Sequence, residues 1–248
     1  MNEIEELKLE NEKLKNNNTV KSDLISISAH QLRTSLSAIK WTLKMFIDGD
    51  LGELTAEQKD FIQKTFDSNE RMIILVNDLL IINHTDDINV KLDLKEIDIL
   101  ELLEQTLSEF YGEARKKHVK INFTKPQTSI PLINCDKRMI RIVFQNLIEN
   151  SIKYSKQDDT VSIHIEYDNT TNSINMSVHD NGIGIKEEDK SKIFSKFYRA
   201  ENAIKKDYSG SGLGLFATKS IVLRHKGEIW FESDNDSGTT FFVRLPII

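Results

Sequence analysis

From Ile4 to Phe46, one side of the chain is marked every seven residues: Ile4, Asn11, Asn18, Ile25, Leu32, Ile39 and Phe46. Seven residues are close to two helical turns, so these side chains form one stripe along a long helix, and the stripe needs a partner helix. Leu7 and Leu14 fill the alternate seam position at the start. Asn at two seam positions weakens a coiled coil but fixes its register and a two-stranded state. From Ile25 onward the second stripe moves by one residue, to Ala29, Leu36 and Leu43. The narrow seam thereby widens into a face suited to a bundle. The run Asp48-Gly49-Asp50-Leu51-Gly52 breaks the pattern as a helix-to-helix turn. Thr55 with Gln58 then reads as a capping box, opening a second helix that carries Ile62, Phe66, Ile73, Val76 and Leu80 and ends near Asp86-Asp87. Two such hairpins, one per chain, make a four-helix bundle. The alternative is a hairpin packed on its own C-terminal half.

Residues 92–248 have a different period. Short alternating stretches occur at Lys91–Ile97, Val119–Phe123, Thr160–Tyr167, Ile174–Val178, Glu228–Glu232 and Thr240–Leu245. Helical patterns lie between them at Ile99–Lys117, Lys137–Tyr154 and Leu213–Arg224. The last two strands flank Asn235-Asp236-Ser237-Gly238, a hairpin signal. This order favours an α+β sandwich with a mixed sheet over a doubly wound one. Asn181–Gly212, charged and bounded by glycines, reads as a long functional loop holding a short helix. The expected organisation is a coiled-coil signalling helix over 1–22, a helical hairpin over 23–87 and an α/β sandwich over 92–248.

Composition narrows the function. A length of 248 residues fits two modest domains. The net charge of −6 argues against a general nucleic-acid binder. Cys135 is the single cysteine, so neither an intrachain disulfide framework nor a Cys-x-x-Cys metal site exists, and it reads as a small apolar residue. No run approaches the ~18 apolar residues of a membrane span, and the charged start lacks the apolar stretch of a signal peptide. The expected location is cytoplasmic, as a free protein or as the cytosolic portion of a membrane-anchored one, because the sequence begins inside a helical pattern.

The chemistry-bearing residues form separate blocks. On the heptad, His30 falls opposite the seam and is expected to face solvent, with Thr34 one turn away. An exposed neutral imidazole is a good nucleophile near pH 7. In the second half, Asn146 and Asn150 stand one turn apart on the helix that Asp136 would cap. Amide oxygens suit Mg²⁺, and Lys153 can reach a phosphate as a point charge. Asp180-Asn181-Gly182-Ile183-Gly184 follows a strand; its glycines admit close backbone approach, and Asp180 can accept from an adenine amino group. Gly210-Ser211-Gly212-Leu213-Gly214 leads into a helix, whose free N–H groups form an anion site. The spacing matches neither the P-loop nor the dinucleotide fingerprint. The other histidines, His84, His118, His164, His179 and His225, lack metal-ligand spacing and read as structural or solvated.

Ser28-Ala29-His30-Gln31-Leu32-Arg33-Thr34-Ser35-Leu36 resembles the phospho-acceptor box of sensor histidine kinases. The blocks at Asn146–Ser155, Asp180–Ile185 and Gly210–Leu215 resemble the N, G1 and G2 boxes of their ATP-binding domain, whose fold is shared with gyrase, chaperone and mismatch-repair ATPases. Ile193–Arg199 resembles the F box. The resemblance implies ATP and Mg²⁺ as cofactors, a homodimer, autophosphorylation on His30, and transfer to an aspartate on a response-regulator receiver domain. It further implies that Asn150 binds Mg²⁺ with help from Asn146, and that Tyr154 and Asp180 contact adenine. Lys153 and Arg199 would contact the phosphates, Lys196 and Gly182, Gly184, Gly210, Gly212, Leu213 and Gly214 would line the nucleotide, and Phe194 and Phe197 would anchor the lid by packing. Thr34 matches the position that orients a water for phosphatase activity. Hydrolysing relatives carry Glu where Asn146 stands, so this site would hold ATP without hydrolysing it.

Two residues depart from the family pattern. Gln31 replaces an acid, and an amide can orient the imidazole but cannot take its proton. Ser35 replaces a proline, so a straighter first helix is expected. Gln31 leaves open an ATP-binding pseudokinase or phosphatase-biased scaffold. An ATPase of the chaperone or repair type is the other alternative, disfavoured by Asn146 and by the hairpin bearing His30.

Overall fold

A computed structural model describes residues 24, 27–29, 31–86, 92–126, 128–208, 210–234 and 237–247, with side chains omitted at 74 and 77–86. The chain divides into two compact units, Met1–Val90 and Lys91–Ile248.

The first unit is a helical hairpin. Its first helix, α1, runs unbroken over residues 31–48, and its second, α2, spans Ala56–Asp86. The chain reverses at Gly49 and Gly52, whose φ angles of 86° and 107° suit a residue without Cβ. The capping box forms as expected. The Thr55 N–H donates to Gln58 Oε1 at 2.9 Å, and the Gln58 N–H donates to Thr55 Oγ1 at 3.2 Å. Ala29, Leu36 and Val76 are buried together with Ile73 against them. Asn69, also buried, donates from Nδ2 to the Leu36 carbonyl at 2.9 Å, which ties the two helices at one register. Ser35 causes no break: its Oγ donates to the Gln31 carbonyl at 3.1 Å. Leu32 and Ile39, on the heptad stripe, are 51% and 46% exposed, so this hairpin does not cover that stripe itself. The coiled-coil reading of 1–22, the seam residue Ile25 and the expected exposure of His30 lie outside the described residues.

In the second unit a five-stranded sheet is covered on one face by three helices. In chain order the elements are β1 (Lys95–Ile97), α3 (Ile99–Lys116), β2 (Lys120–Thr124), β3 (Ile133–Cys135), α4 (Lys137–Tyr154), β4 (Thr160–Asp168) and β5 (Ser173–Asp180). There follow α5 (Glu187–Lys190), α6 (Glu201–Lys206), α7 (Gly214–Arg224), β6 (Glu228–Asp234) and β7 (Gly238–Pro246). The strand order is β2-β4-β5-β7-β6; β2 and β4 are parallel and the other pairs antiparallel, which makes the sheet mixed. β1 and β3 form a separate antiparallel pair. Alternation fixes the inner face. Val161, Ile163 and Ile165 of β4, Ile174, Met176 and Val178 of β5, and Phe241, Val243 and Leu245 of β7 are buried. Against them lie Leu103 and Leu107 of α3, Val143, Phe144, Leu147 and Ile148 of α4, and Ile221 and Val222 of α7.

The differences from expectation are local. The strand expected from Lys91 begins at Lys95, and β3 is an additional strand of three residues. The expected loop over 181–212 holds two short helices rather than one. Among the described residues no helix is long and apolar enough to cross a membrane. Cys135 is fully buried, and burial pushes its thiol up to about 11, which keeps it a packing residue.

Asp136 fastens the start of α4. Its Oδ1 accepts from the N–H groups of Arg138 and Met139, its Oδ2 accepts from the Asp93 N–H at 3.1 Å, and its own N–H donates to His225 Nε2 at 3.0 Å. His225 Nδ1–H in turn donates to the Ile221 carbonyl at 2.8 Å. Burial lowers the His225 pKa, which favours this neutral tautomer. Asp136→Ala removes a cap and strands the Asp93 donor, and is expected to destabilise the second unit by about 1–3 kcal/mol. Urea unfolding measures this; a loss below ~0.5 kcal/mol would contradict the account.

Candidate functional site

α4 has two faces. Ile140, Val143, Phe144, Leu147, Ile148, Ser151 and Ile152 are buried. That packing turns Asn146, Asn150, Lys153 and Tyr154, all of intermediate exposure, toward the helix flank. Asn146 is tied to α7: its Nδ2 donates to the Gly214 carbonyl at 3.1 Å and to Thr218 Oγ1 at 3.2 Å. Both bonds use the amide nitrogen, so Oδ1 is the atom that Asn146 can offer to a cation.

Asp180 is the last inward-facing residue of β5, in line with Ile174, Met176 and Val178, and only 4% of it is exposed. Burial pushes its carboxyl up to about 6, against the pull of the Gly182 N–H, which donates to Oδ1 at 2.9 Å. Ser151 lies close enough to help hold that carboxyl down. Yet its fully buried Oγ has no hydrogen-bond partner of ordinary geometry. The loop after Asp180 crosses the end of α4 so tightly that a Cβ on Gly182 would stand 2.4 Å from the Tyr154 carbonyl oxygen. Gly184 follows at φ 63°. Only glycine satisfies this approach, and it brings Asp180 and Tyr154 together.

The second glycine loop closes on the same place. A Cβ on Gly210 would lie 3.2 Å from Lys153 Nζ, and one on Gly214 would lie 3.4 Å from Asn146 Oδ1. Gly212 has φ 72° and abuts the backbone of Phe197. Leu213 is buried and precedes α7 without a side-chain cap, so the first N–H groups of α7 are open to an anion.

Arg199 lies beside this loop, but its guanidinium gathers main-chain carbonyls. It donates to Gly210 at 3.0 Å, to Tyr208 at 3.3 Å, to Ala203 at 3.5 Å and to Asp207. Lys153 pairs with Asp207 Oδ2 at 3.2 Å. Lys196 stands over the Phe216 ring at 4.7 Å. Phe194 packs edge-on against Phe231. Phe197 does not: it is 65% exposed. It sits at φ 63° with its N–H donating to the Gly212 carbonyl, a left-handed turn in which the side chain points outward. Asp207, beside Lys153, and Ser151, beside Asp180, are brought to the same place by the fold. Ser151 sits inside the apolar stripe of α4, which was the available signal; nothing local distinguishes Asp207.

In the first unit Gln31 and Thr34 are exposed on α1. His30 lies outside the described residues. Among the described residues no cluster of His, Cys, Asp and Glu could hold a metal ion, so a cation here would depend on amide oxygens and on the bound anion. The second-unit residues fit a nucleotide: a buried carboxylate beside a buried hydroxyl for a base edge, then an amide pair, a lysine and a helix N-terminus for phosphates and a hard cation.

Two family models match the chain. Residues 20–87 match the His Kinase A (phospho-acceptor) domain. Residues 135–248 match the Histidine kinase-, DNA gyrase B-, and HSP90-like ATPase. The chain belongs to the histidine kinases and carries the catalytic core of a sensor histidine kinase. It is 31% identical to the sensor protein RprX of Bacteroides fragilis, over 92% of this chain and 44% of RprX. It is also 31% identical to the sensor histidine kinase WalK of Bacillus subtilis, over 90% of this chain and 36% of WalK. The chain thus spans less than half the length of these relatives. Full-length ShkA, solved in complex with AMPPNP, shares the fold with a TM-score of 0.73 at 22% identity, covering 90% of this chain and 45% of that one. The catalytic domain of histidine kinase ThkA is 27% identical, with a TM-score of 0.55, covering 63% of this chain and 97% of that one.

Asp180 makes this site pH-sensitive. Its folded pKa lies above the ordinary carboxylate value, so its contribution to stability is full below about pH 4 and is lost as pH rises through about 6. Asp180→Asn is therefore expected to be more stable than wild type at pH 7–8 by up to ~3 kcal/mol, with the gain vanishing near pH 4. Urea unfolding across this range checks it; a difference independent of pH would contradict the burial argument.

Proposed function

We propose that this chain is the core of an ATP:protein-histidine phosphotransferase, working as a homodimer. In this reading residues 23–87 form the dimerisation and transfer hairpin and residues 92–248 bind ATP. The single observation that carries it is the convergence of Asp180, Tyr154, Lys153, Asn146 and both glycine loops at one end of α4, in a chain that also matches the phospho-acceptor family. Asp180 would accept from the adenine amino group, with Tyr154 against the base. Lys153 and the open N–H groups of α7 would hold phosphate oxygens. Asn150 would hold Mg²⁺ with Asn146 Oδ1 beside it, and the ion would screen phosphate charge during transfer.

His30 would then attack the γ-phosphorus through a ring nitrogen. The N–P bond forms, the bond to the bridging oxygen breaks, and ADP departs. Transfer of this kind depends mainly on positioning and charge stabilisation. Gln31 would fix the tautomer of His30 but leave the ring proton to solvent, which slows the step. Asn146 cannot activate water, so ATP would persist until His30 reaches it. The phosphoryl group would pass to an aspartate of a response-regulator receiver domain, and Thr34 would orient the water that later removes it. The exposed Leu32 and Ile39 support a second hairpin across the dimer axis. A cytoplasmic location accords with this chemistry.

Incubation with γ-labelled ATP and Mg²⁺ tests the proposal. The label is expected to be acid-labile and alkali-stable, and absent in His30→Ala. Gln31→Glu is expected to raise the labelling rate by roughly tenfold or more. ATP binding without label in either the wild type or Gln31→Glu would favour a binding scaffold instead.

A further inference from the structure

We infer that Asp207 is an internal competitor for the nucleotide phosphates: its carboxylate pairs with Lys153 and must give way before a phosphate can take that lysine. The inference rests on the nucleotide reading above.

The Lys153 side chain is only 10% exposed, and an ammonium withdrawn from water to that degree needs an anion beside it. Asp207 supplies one, with Oδ2 at 3.2 Å from Nζ and its own side chain 28% exposed. The contact joins the last turn of α4 to the end of α6, 54 residues along the chain (207 − 153). It is not a chance meeting of two mobile side chains, because both backbones are held. Arg199 grips the carbonyls of Ala203, Asp207, Tyr208 and Gly210, which fixes the turn that presents Asp207. The Asp207 N–H donates to the Ala203 carbonyl at 3.0 Å and closes α6. On the other side, Lys153 Nζ lies 5.6 Å from the Tyr154 ring and against Gly210.

The pair therefore stands where the glycine loop that leads into α7 meets the last turn of α4. A phosphate brought there meets a lysine already neutralised, and a carboxylate that repels it. Exchanging one anion for another is close to balanced, so Asp207 weakens binding of phosphorylated ligands without removing the site. It also gives discrimination: a ligand with no phosphate cannot displace the carboxylate and gains nothing when it is removed.

Calorimetric titration of the full chain with a non-hydrolysable ATP analogue and with adenosine, in wild type, Asp207→Asn and Asp207→Ser, tests this. Both variants keep the backbone groups that Arg199 and α6 use. The ATP analogue is expected to bind both about three- to tenfold more tightly than wild type, a gain that shrinks at high salt, while adenosine affinity is unchanged. Equal or weaker affinity for the analogue in both variants overturns the competition. So does an equal gain for adenosine, which would mean a general loosening of the loop. If the wild type binds neither ligand, the nucleotide reading fails and the competition with it. Thermal unfolding of each variant identifies one that is misfolded, and the other then decides.

Discussion

The second unit depends on how α4 is fixed. Its apolar stripe can bury against β4 and β5 in only one rotation, and Asp136 holds its first turn to Asp93 and, through His225, to the end of α7. With the start and the rotation both set, the polar flank has no freedom. Asn146, Asn150, Lys153 and Tyr154 must emerge along one side, and the last turn must meet the strand end at Asp180. A helix worth several kilocalories of buried Leu, Ile and Phe thus aims side chains that contribute little to stability themselves.

The same geometry explains why a carboxylate is tolerated in an apolar layer. Asp180 continues the inward row of β5, where the period of two would place another Val or Ile. It pays in stability above pH 6, and the Gly182 N–H recovers only part of that. A group retained against its own folding energetics is a reasonable mark of a binding function. The Ser151 hydroxyl, fully buried and close enough to hold that carboxyl down, is a second polar atom at the same spot.

Much of this was legible beforehand because it is periodic or local. The shift of stripe to Ala29, Leu36 and Leu43 announced the hairpin face, and all three residues are buried. The Asp136 cap, the Thr55–Gln58 box and the α4 limits follow from short-range rules. The glycine blocks stand out because each contains a position, Gly182 or Gly212, where a Cβ would meet backbone closer than 3 Å. What was hidden is nonlocal or too short to carry a period. β3 has three residues and exists through its pairing with β1. Asp207 is one acid among many until folding sets it against Lys153. The sequence block around Arg199 carries no sign of the carbonyls that the surrounding turn supplies to its guanidinium. Phe197 has the right residue type for an anchor but the wrong backbone conformation.

In the proposed function, nucleotide and metal meet at one end of α4. A crystal structure of the chain with a non-hydrolysable ATP analogue and Mn²⁺, with the metal located by its anomalous scattering, tests it most directly. The metal is expected within coordination distance of Asn150 Oδ1, the base amino group on Asp180, and a phosphate oxygen on Lys153. Nucleotide bound with its base away from Asp180, or a metal peak remote from Asn150, would contradict it.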